Sequence, residues 1–388
     1  MKAEVTNYLS PMRSCFFALT ICAALISCEN KSQESQDSGS ETSAQAKDTI
    51  QENKIKDLKP TGDKPEWAPG IKDNMQVVME KLASFQAKPI ETLTAKEARK
   101  NPTPTDAVMA VMKENSIPMP PAKADTVGKE IPVKGGNIHA RIYTPMGTGP
   151  FPIIVYYHGG GWVIANLDTY DASARGLSEQ VGAVVVSVHY RQAPEHKFPT
   201  AHNDANAAYE WVTKNASSIN GDANRIAVVG ESAGGNLATN VSIMARDKGL
   251  AKPLHQVLIY PIANNDMNSE SYQKNANAKP LSKAMMAWFM DNYLPKKSMS
   301  SDPRIALVKA NLKDLPPTTI ITAEIDPLLS DGELLRDKLK DSNVDVNYKK
   351  YDGVTHEFFG MATVVSEAKE AQEMAVNDLK KAFASSQK

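Results

Sequence analysis

The stretch RIAVVGESAGGNLATN, residues 225–240, joins an apolar run to a helical pattern through a cluster of small residues. It satisfies the pattern G-x-S-x-G with Gly230, Ser232 and Gly234, in a strand–turn–helix context. One hypothesis is an ordinary connection, because a sharp turn needs small residues for steric reasons alone. The other is a serine nucleophile at a helix N-terminus, where the helix dipole favours a developing negative charge.

Eight segments of the chain have the composition of β-strands. The first two, EIPVKG and NIHARIYTP, alternate in polarity around Gly135 and Gly136, which predicts an antiparallel hairpin. The later ones are apolar runs separated by helical stretches, as in buried parallel strands: FPIIVYYHGGG, AVVVSVHYR, RIAVVGES, HQVLIYPI, TTIITAEID and VNYKKYDG. We therefore expect an α/β fold whose mostly parallel, eight-stranded sheet is flanked by helices.

Two further regions have helical patterns but do not fit simple crossovers between strands. Residues 65–125 contain NMQVVMEKLASFQ and DAVMAVMKENS, with prolines between and after them. Residues 261–312 contain KAMMAWFMDNYLP, a helix with a bulky apolar face. Together these regions predict a helical cap over the carboxyl ends of the strands, where ligands bind in open α/β sheets.

A serine nucleophile needs a base and an acid, which follow it in the order Asp or Glu, then His, when it sits on this type of turn. His356 follows the last predicted strand, and Asp326 stands at the carboxyl end of the strand TTIIT. The histidine would take the serine proton, and the aspartate would orient the imidazole and stabilise its charged form. Asp331, a few residues into the next helix, is the alternative acid.

The stretch HGGGW, residues 158–162, follows a buried strand and contains three consecutive glycines. Three glycines are costly in backbone entropy unless the backbone itself is needed, for example to donate N–H groups to an oxyanion. A glycine-rich connection without a ligand and a phosphate cradle are the alternatives. The phosphate hypothesis is weaker, because the spacing matches neither of the two common phosphate-binding glycine motifs.

HGGGW, GESAGG, DPL and the late His-Glu-Phe occur in an order that resembles the hormone-sensitive lipase family of bacterial esterases, also called family IV, within the α/β-hydrolase fold. YRQAPEHKFPTAHND, residues 190–204, is a further match, and the resemblance covers about residues 70–385. It implies that the amides of Gly160, Gly161 and Ala233 form the oxyanion hole, and it implies no metal or organic cofactor.

This chain departs from the pattern of that family at two positions. Glu231 precedes the serine where the family commonly has aspartate, which leaves the nucleophile intact but changes its surroundings. Glu357 follows the histidine where the family often has glycine. Glu357 could line the pocket or be solvated, and we expect it to be solvated.

The first residues resemble an export signal. Arg13 precedes a short apolar run, and Leu25-Ile26-Ser27-Cys28 resembles a lipobox, which implies cleavage before Cys28 and its lipidation. An ordinary signal peptide and an uncleaved anchor are the alternatives, and the start is Met1 or Met12. We expect a signal peptide over 1–27, a lipidated cysteine and disordered tether over 28–64, and the hydrolase domain over 65–388, lipid-anchored to a bacterial membrane on its periplasmic or surface face.

Composition narrows the function classes. The 388 residues carry a formal net charge of -1, and no basic stretch is interleaved with aromatic residues, which argues against a nucleic-acid partner. All three cysteines lie within the first thirty residues, so no cysteine metal site is expected in the core. We expect a serine carboxylesterase that acts on small-molecule, short-chain acyl esters. Alternatives are deacetylation of glycans, amide hydrolysis and a non-catalytic binding module. The oligomeric state does not follow from the residues.

Overall fold

The computed structural model describes residues 54–55 and 57–385. The predicted signal peptide, Cys28 and most of the predicted tether therefore lie outside the described residues. Within the described ranges, no helix has the length and apolar character that a membrane span needs.

A single sheet of eight strands forms the centre of the described chain, as the apolar runs predict. Its strands are β1 (Ala124–Val133), β2 (Gly136–Pro145), β3 (Phe151–Tyr157), β4 (Val184–His189), β5 (Gly221–Glu231), β6 (Gln256–Ile259), β7 (Thr318–Ile325) and β8 (Val346–Thr355). Their order across the sheet is β1-β2-β4-β3-β5-β6-β7-β8. The pairs β1–β2 and β2–β4 are antiparallel, and all the other pairs are parallel.

Helices precede the sheet, connect its strands and close the described chain. The α-helices are α1 (Asp73–Ser84), α2 (Ala95–Ala98), α3 (Pro104–Glu114), α4 (Asp171–Val181), α5 (Thr200–Asn215), α6 (Ala233–Asp247), α7 (Glu270–Lys274), α8 (Lys283–Tyr293), α9 (Leu329–Asp341) and α10 (Ser366–Ser385). Short 3-10 helices cover Ile90–Thr92, Ala216–Ile219, Lys297–Ser301, Leu307–Lys309 and Phe358–Met361.

The apolar runs are continuous because the central strands are buried on both faces. Along β3, Ile153 and Val155 face one hydrophobic core, whereas Ile154 and Tyr156 face the other. Helices α5 and α6 cover the first face, and α10 covers the second. This sandwich of two helical layers around a sheet holds the carboxyl ends of β5, β7 and β8 in place.

The predicted hairpin is present, with Val133 opposite Gly136, but β1 begins earlier than the alternating pattern indicates. Strand β1 lies at the edge of the sheet, and its residues 125–130 are exposed. A strand whose side chains face water carries no apolar alternation, so the pattern finds only its end.

The tether predicted over residues 28–64 extends too far along the sequence, because its last residues, 58–64, contact the folded chain. Leu58 is buried, and the carboxylate of Glu80 on α1 accepts hydrogen bonds from the backbone N–H groups of Thr61 (2.8 Å) and Gly62 (3.1 Å). Residues 58–64 are therefore part of the folded body. Leu58 is their one large apolar side chain, and the polar side chain of Glu80 on α1 holds the backbone of Thr61 and Gly62.

Candidate active site

Ser232 stands on the turn between β5 and α6. Its backbone has φ 55° and ψ −117°, a positive-φ conformation that is strained for a residue other than glycine. The turn is closely packed, because a Cβ atom on Gly234 would come within 1.9 Å of the carbonyl oxygen of Tyr157 on β3. The small residues of G-x-S-x-G therefore allow α6 to start directly against the neighbouring strand.

The structure places His356 in contact with Asp326. The Nδ1 atom of His356 lies 2.6 Å from Oδ2 of Asp326, and both side chains are buried. Asp326 follows β7 and His356 follows β8, and these neighbouring parallel strands pair Ile325 with Thr355. Asp326 is held in turn by the N–H of Leu328, which donates to its Oδ1 at 2.9 Å.

Burial disfavours the charged imidazolium of His356, but the carboxylate of Asp326 outweighs this effect and raises the pKa of the histidine. Glu357 and Glu231 act in the same direction. The imidazole thus sits in surroundings that stabilise its protonated form, which a general base requires after it has accepted a proton.

Asp331, the alternative acid, has a different role. Its Oδ2 accepts hydrogen bonds from the N–H groups of Ala263 (2.9 Å) and Asn264 (2.8 Å), so it holds the chain that follows β6. Burial raises the pKa of Asp331 to about 7. Among the described contacts none joins it to His356, and the geometry favours Asp326 as the partner of His356.

The three glycines form a loop whose backbone turns into the cavity. Gly160 has φ 90°, and a Cβ atom there would lie 2.2 Å from the carbonyl oxygen of Ile164. The amides of Val163 and Ile164 donate to the carbonyl oxygen of Gly160. In the described part of the chain, the N–H groups of Gly160 and Gly161 have no acceptor, so they are available to a ligand.

His158 orders this loop together with Tyr190. The hydroxyl of Tyr190 donates to the carbonyl oxygens of His158 (2.8 Å) and Gly159 (3.1 Å), and the two rings stack with 4.4 Å between centroids. Burial lowers the pKa of His158 to about 3, which keeps it neutral. Ala233 is the first residue of α6, so its N–H has no acceptor within the helix.

A cavity of about 850 Å³ brings these groups together. Ser232, His356, Gly160 and Gly161 all line it. Both predicted cap regions contribute to its walls: Ile90, Ala98, Leu281, Met285, Met286 and Phe289 are among the lining residues. The limits that we assign to the cap, 65–125 and 261–312, stay a prediction.

Glu357 is not solvated, and that expectation is wrong. It lines the cavity, its side chain is 19% exposed, and its Oε1 accepts a hydrogen bond of 2.6 Å from the hydroxyl of Tyr170. The same oxygen lies 3.8 Å from Nε2 of His356. Burial raises the pKa of Glu357, while His356 and the Tyr170 hydrogen bond limit the increase.

Glu231 is buried directly before Ser232, at the end of β5. Its carboxylate accepts hydrogen bonds from the hydroxyls of Tyr156 (2.5 Å) and Tyr260, and the ring of Tyr260 packs 4.4 Å from that of His356. Burial and the nearby charge of Glu357 raise the pKa of Glu231 to about 7, despite the two tyrosine hydroxyls. A buried carboxyl group with a raised pKa therefore lies close to His356.

Comparison with known proteins decides the family. Residues 154–360 match a family model described as alpha/beta hydrolase fold. The chain belongs to the α/β-hydrolase family. Carboxylesterase NlhH of Mycobacterium tuberculosis is 38% identical over 252 residues, which are 64% of this chain and 79% of the relative.

Two further relatives extend the similarity over most of this hydrolase. Ethyl acetate hydrolase of Pseudomonas putida is 31% identical over 316 residues, 80% of this chain and 98% of the relative. The solved structure of an esterase from Pyrobaculum calidifontis has a TM-score of 0.70 and 36% identity, and covers 79% of this chain and 97% of its own. These relatives support the resemblance to esterases of the hormone-sensitive lipase type, and the hydrolase is a carboxylic ester hydrolase.

Several side chains of the site have no signal in the sequence. Tyr156, Tyr170 and Tyr260 hold the two glutamates, yet they lie on separate elements, and Tyr170 is 187 residues from Glu357. Within residues 54–55 and 57–385, no group of three or more His, Cys, Asp or Glu side chains is arranged to hold a metal ion.

Proposed function

We propose that the hydrolase is a serine carboxylesterase for short-chain acyl esters, with Ser232 as nucleophile, His356 as base and Asp326 as the orienting acid. The observation that carries this proposal is the 2.6 Å contact between His356 and Asp326 beside the cavity that Ser232 and His356 both line. The three residues come from the ends of three strands, in the chain order that this fold uses.

The proposed reaction proceeds in two stages. The Oγ atom of Ser232 attacks the ester carbonyl while Nε2 of His356 takes its proton, and Asp326 stabilises the imidazolium through Nδ1. The imidazolium then protonates the leaving alcohol, which leaves an acyl group on Ser232. Water, deprotonated by His356, attacks this acyl-enzyme and releases the carboxylic acid.

The amides of Gly160, Gly161 and Ala233 form the proposed oxyanion hole. The first two are free and line the cavity, and the third is the first N–H of α6, whose dipole adds to the stabilisation. Loss of one such donor typically costs about 3–4 kcal/mol of transition-state stabilisation. This contribution explains why the chain keeps a strained, glycine-rich loop at this position.

Short acyl groups are the proposed substrates because the name of the Pseudomonas putida relative specifies ethyl acetate. Acetyl groups on glycans are the second substrate class. A binding module that has lost catalysis is disfavoured, since His356 is present and paired with an acid. We also propose export and attachment to a bacterial membrane through lipid on Cys28, in accordance with the lipobox-like sequence.

The first test compares the hydrolase with its Ser232→Ala variant on p-nitrophenyl esters from acetate upward. We expect the wild type to prefer short chains and Ser232→Ala to lose at least about 1,000-fold in kcat. Ser187→Ala is the matched control, because Ser187 is a buried serine on β4 whose hydroxyl has no partner in the described chain. Equal activity of Ser232→Ala and wild type would contradict the assignment of the nucleophile.

A further inference from the structure

Two carboxylates contact the imidazole of His356 from opposite sides. Asp326 holds Nδ1, and Oε1 of Glu357 lies 3.8 Å from Nε2. In the proposed reaction Nε2 hands its proton to the leaving alcohol, whose oxygen must then lie about 3 Å from that nitrogen. The Glu357 carboxylate is therefore next to the alcohol part of the ester and not to its acyl part.

The carboxylate of Glu357 is held in place by one hydrogen bond, but one of its two oxygens accepts none from the described part of the chain. The hydroxyl of Tyr170 donates to Oε1, whereas Oε2 accepts no hydrogen bond within the described part of the chain. The side chain is 19% exposed and lines the cavity, so a ligand can reach it. One oxygen is thus held by Tyr170, while the other has no protein donor in the described part of the chain and remains available to a ligand.

No lysine or arginine of the described chain forms an ion pair with Glu357. Its one charged partner among the residues that the structure describes is His356, which is neutral when the base is ready to react. Arg99, a cavity-lining cation, is already occupied by Glu195 and by the carbonyl oxygens of Val163 and Ala193. A partly desolvated carboxylate without a cation favours a ligand group that brings positive charge.

The backbone conformation gives an independent sign that the side chain matters. Glu357 has φ 70°, in the left-handed region where glycine is favoured and a glutamate is strained. The turn itself needs no side chain at this position. What glutamate adds over glycine is the carboxylate beside Nε2.

We propose that Glu357 forms a subsite for the alcohol moiety and selects esters whose alcohol presents a hydroxyl hydrogen or an ammonium group a few bonds beyond the ester oxygen. This proposal rests on the proposed function, because it uses the direction of proton transfer from His356. Polyol and sugar esters carry the first kind of group, and choline-type esters carry the second.

The test measures kcat/KM for two matched pairs of acetate esters. The hydroxyl pair is 2-hydroxyethyl acetate against propyl acetate, and the ammonium pair is acetylcholine against 3,3-dimethylbutyl acetate. Each ratio is measured within one enzyme, so a general loss of activity cancels. The enzymes are the full-chain wild type, Glu357→Gln, Glu357→Gly and Asp168→Asn. Asp168 is the matched control, because it also lines the cavity but pairs with Arg141.

We expect at least one ratio to fall about tenfold in both Glu357 variants and to stay constant in Asp168→Asn, as the loss of a charge-assisted contact requires. The pair that responds identifies the hydroxyl or the ammonium group. Glycine is favoured at φ 70°, so Glu357→Gly keeps the test valid if the glutamine variant misfolds. Unchanged ratios in both variants would overturn the proposal. The proposed function is judged separately, by the loss of p-nitrophenyl acetate hydrolysis in Ser232→Ala.

Discussion

His356 is surrounded by acidic and phenolic groups from several elements of the fold. Asp326 follows β7, and Glu231 is the last residue of β5. Glu357 follows His356 directly in the sequence, and the ring of Tyr260 packs against the ring of His356. Burial alone would lower the pKa of the histidine, but the carboxylates raise it. The sequence pointed to Asp326 and His356 through their places after two strands, yet it offered no sign that two glutamates also act on the base.

This arrangement predicts the pH dependence of the activity. A base works only when it is neutral, so a raised pKa moves the acidic limb of the kcat/KM profile to higher pH. We expect the midpoint of the acidic limb of the wild type to lie above about pH 6.5, which is the ordinary pKa of histidine. Glu231→Gln removes one carboxylate without touching the substrate, and we expect it to shift the limb to lower pH by up to about one unit.

The measurement is kcat/KM for p-nitrophenyl acetate between pH 5 and 9, with Asp168→Asn as the control that keeps the profile of the wild type. Because the pKa of Glu231 is raised to about 7, its carboxyl group is only partly ionised at the limb, which limits the shift that Glu231→Gln causes. If the midpoint of the acidic limb of the wild type lies at or below the ordinary pKa of histidine, the raised pKa of His356 is contradicted.

At the scale of elements, the decisive feature is the close approach of β5, the serine turn and α6 to β3. A Cβ atom on Gly234 would meet the carbonyl oxygen of Tyr157 at 1.9 Å, and neither group belongs to a flexible side chain. Helix α6 or strand β3 would have to move, and both are buried. The packing of α6 against β3 therefore requires the small residues of the G-x-S-x-G motif, whatever the chemistry of Ser232. This is why the motif alone is also explained by an ordinary tight turn.

Gly234→Ala is therefore expected to lower the free energy of unfolding by about 3 kcal/mol, at the upper end of what overpacking costs. Gly70→Ala is the matched control, because a Cβ atom there meets nothing within 4 Å. Gly70→Ala should change the free energy of unfolding by no more than about 0.5 kcal/mol. Urea unfolding followed by circular dichroism measures both. Equal stability of the two variants would mean that α6 relaxes away from β3 at little cost.

At the scale of the whole molecule, the buried residue Leu58 lies thirty residues after the proposed lipid attachment at Cys28. The cavity is lined from both helical regions that flank or interrupt the sheet. A lipid-anchored hydrolase would present this cavity to esters outside the cytoplasm. Export and anchoring are open to a direct experiment, independent of catalysis.

Cys28→Ala is expected to abolish labelling of the protein by radioactive palmitate and to move it from the membrane fraction to the soluble fraction. Lipidation requires the thiol of this residue, and the tether alone has little apolar surface to hold a membrane. Cys22→Ala, which changes a cysteine inside the apolar run, serves as the control and should still be labelled. Labelling that persists in Cys28→Ala would rule out the lipobox.

The sequence by itself determined the eight strands, the hairpin, the serine turn and the glycine loop. These features follow from residues adjacent in the chain, since strand periodicity, burial on both faces and the steric needs of tight turns act locally. The tertiary structure alone decided that Asp326 and not Asp331 contacts His356, and that Glu357 faces the cavity. Both depend on which distant elements pack together: Tyr170 on one side of the sheet restrains a glutamate 187 residues away, and no local pattern records such a contact.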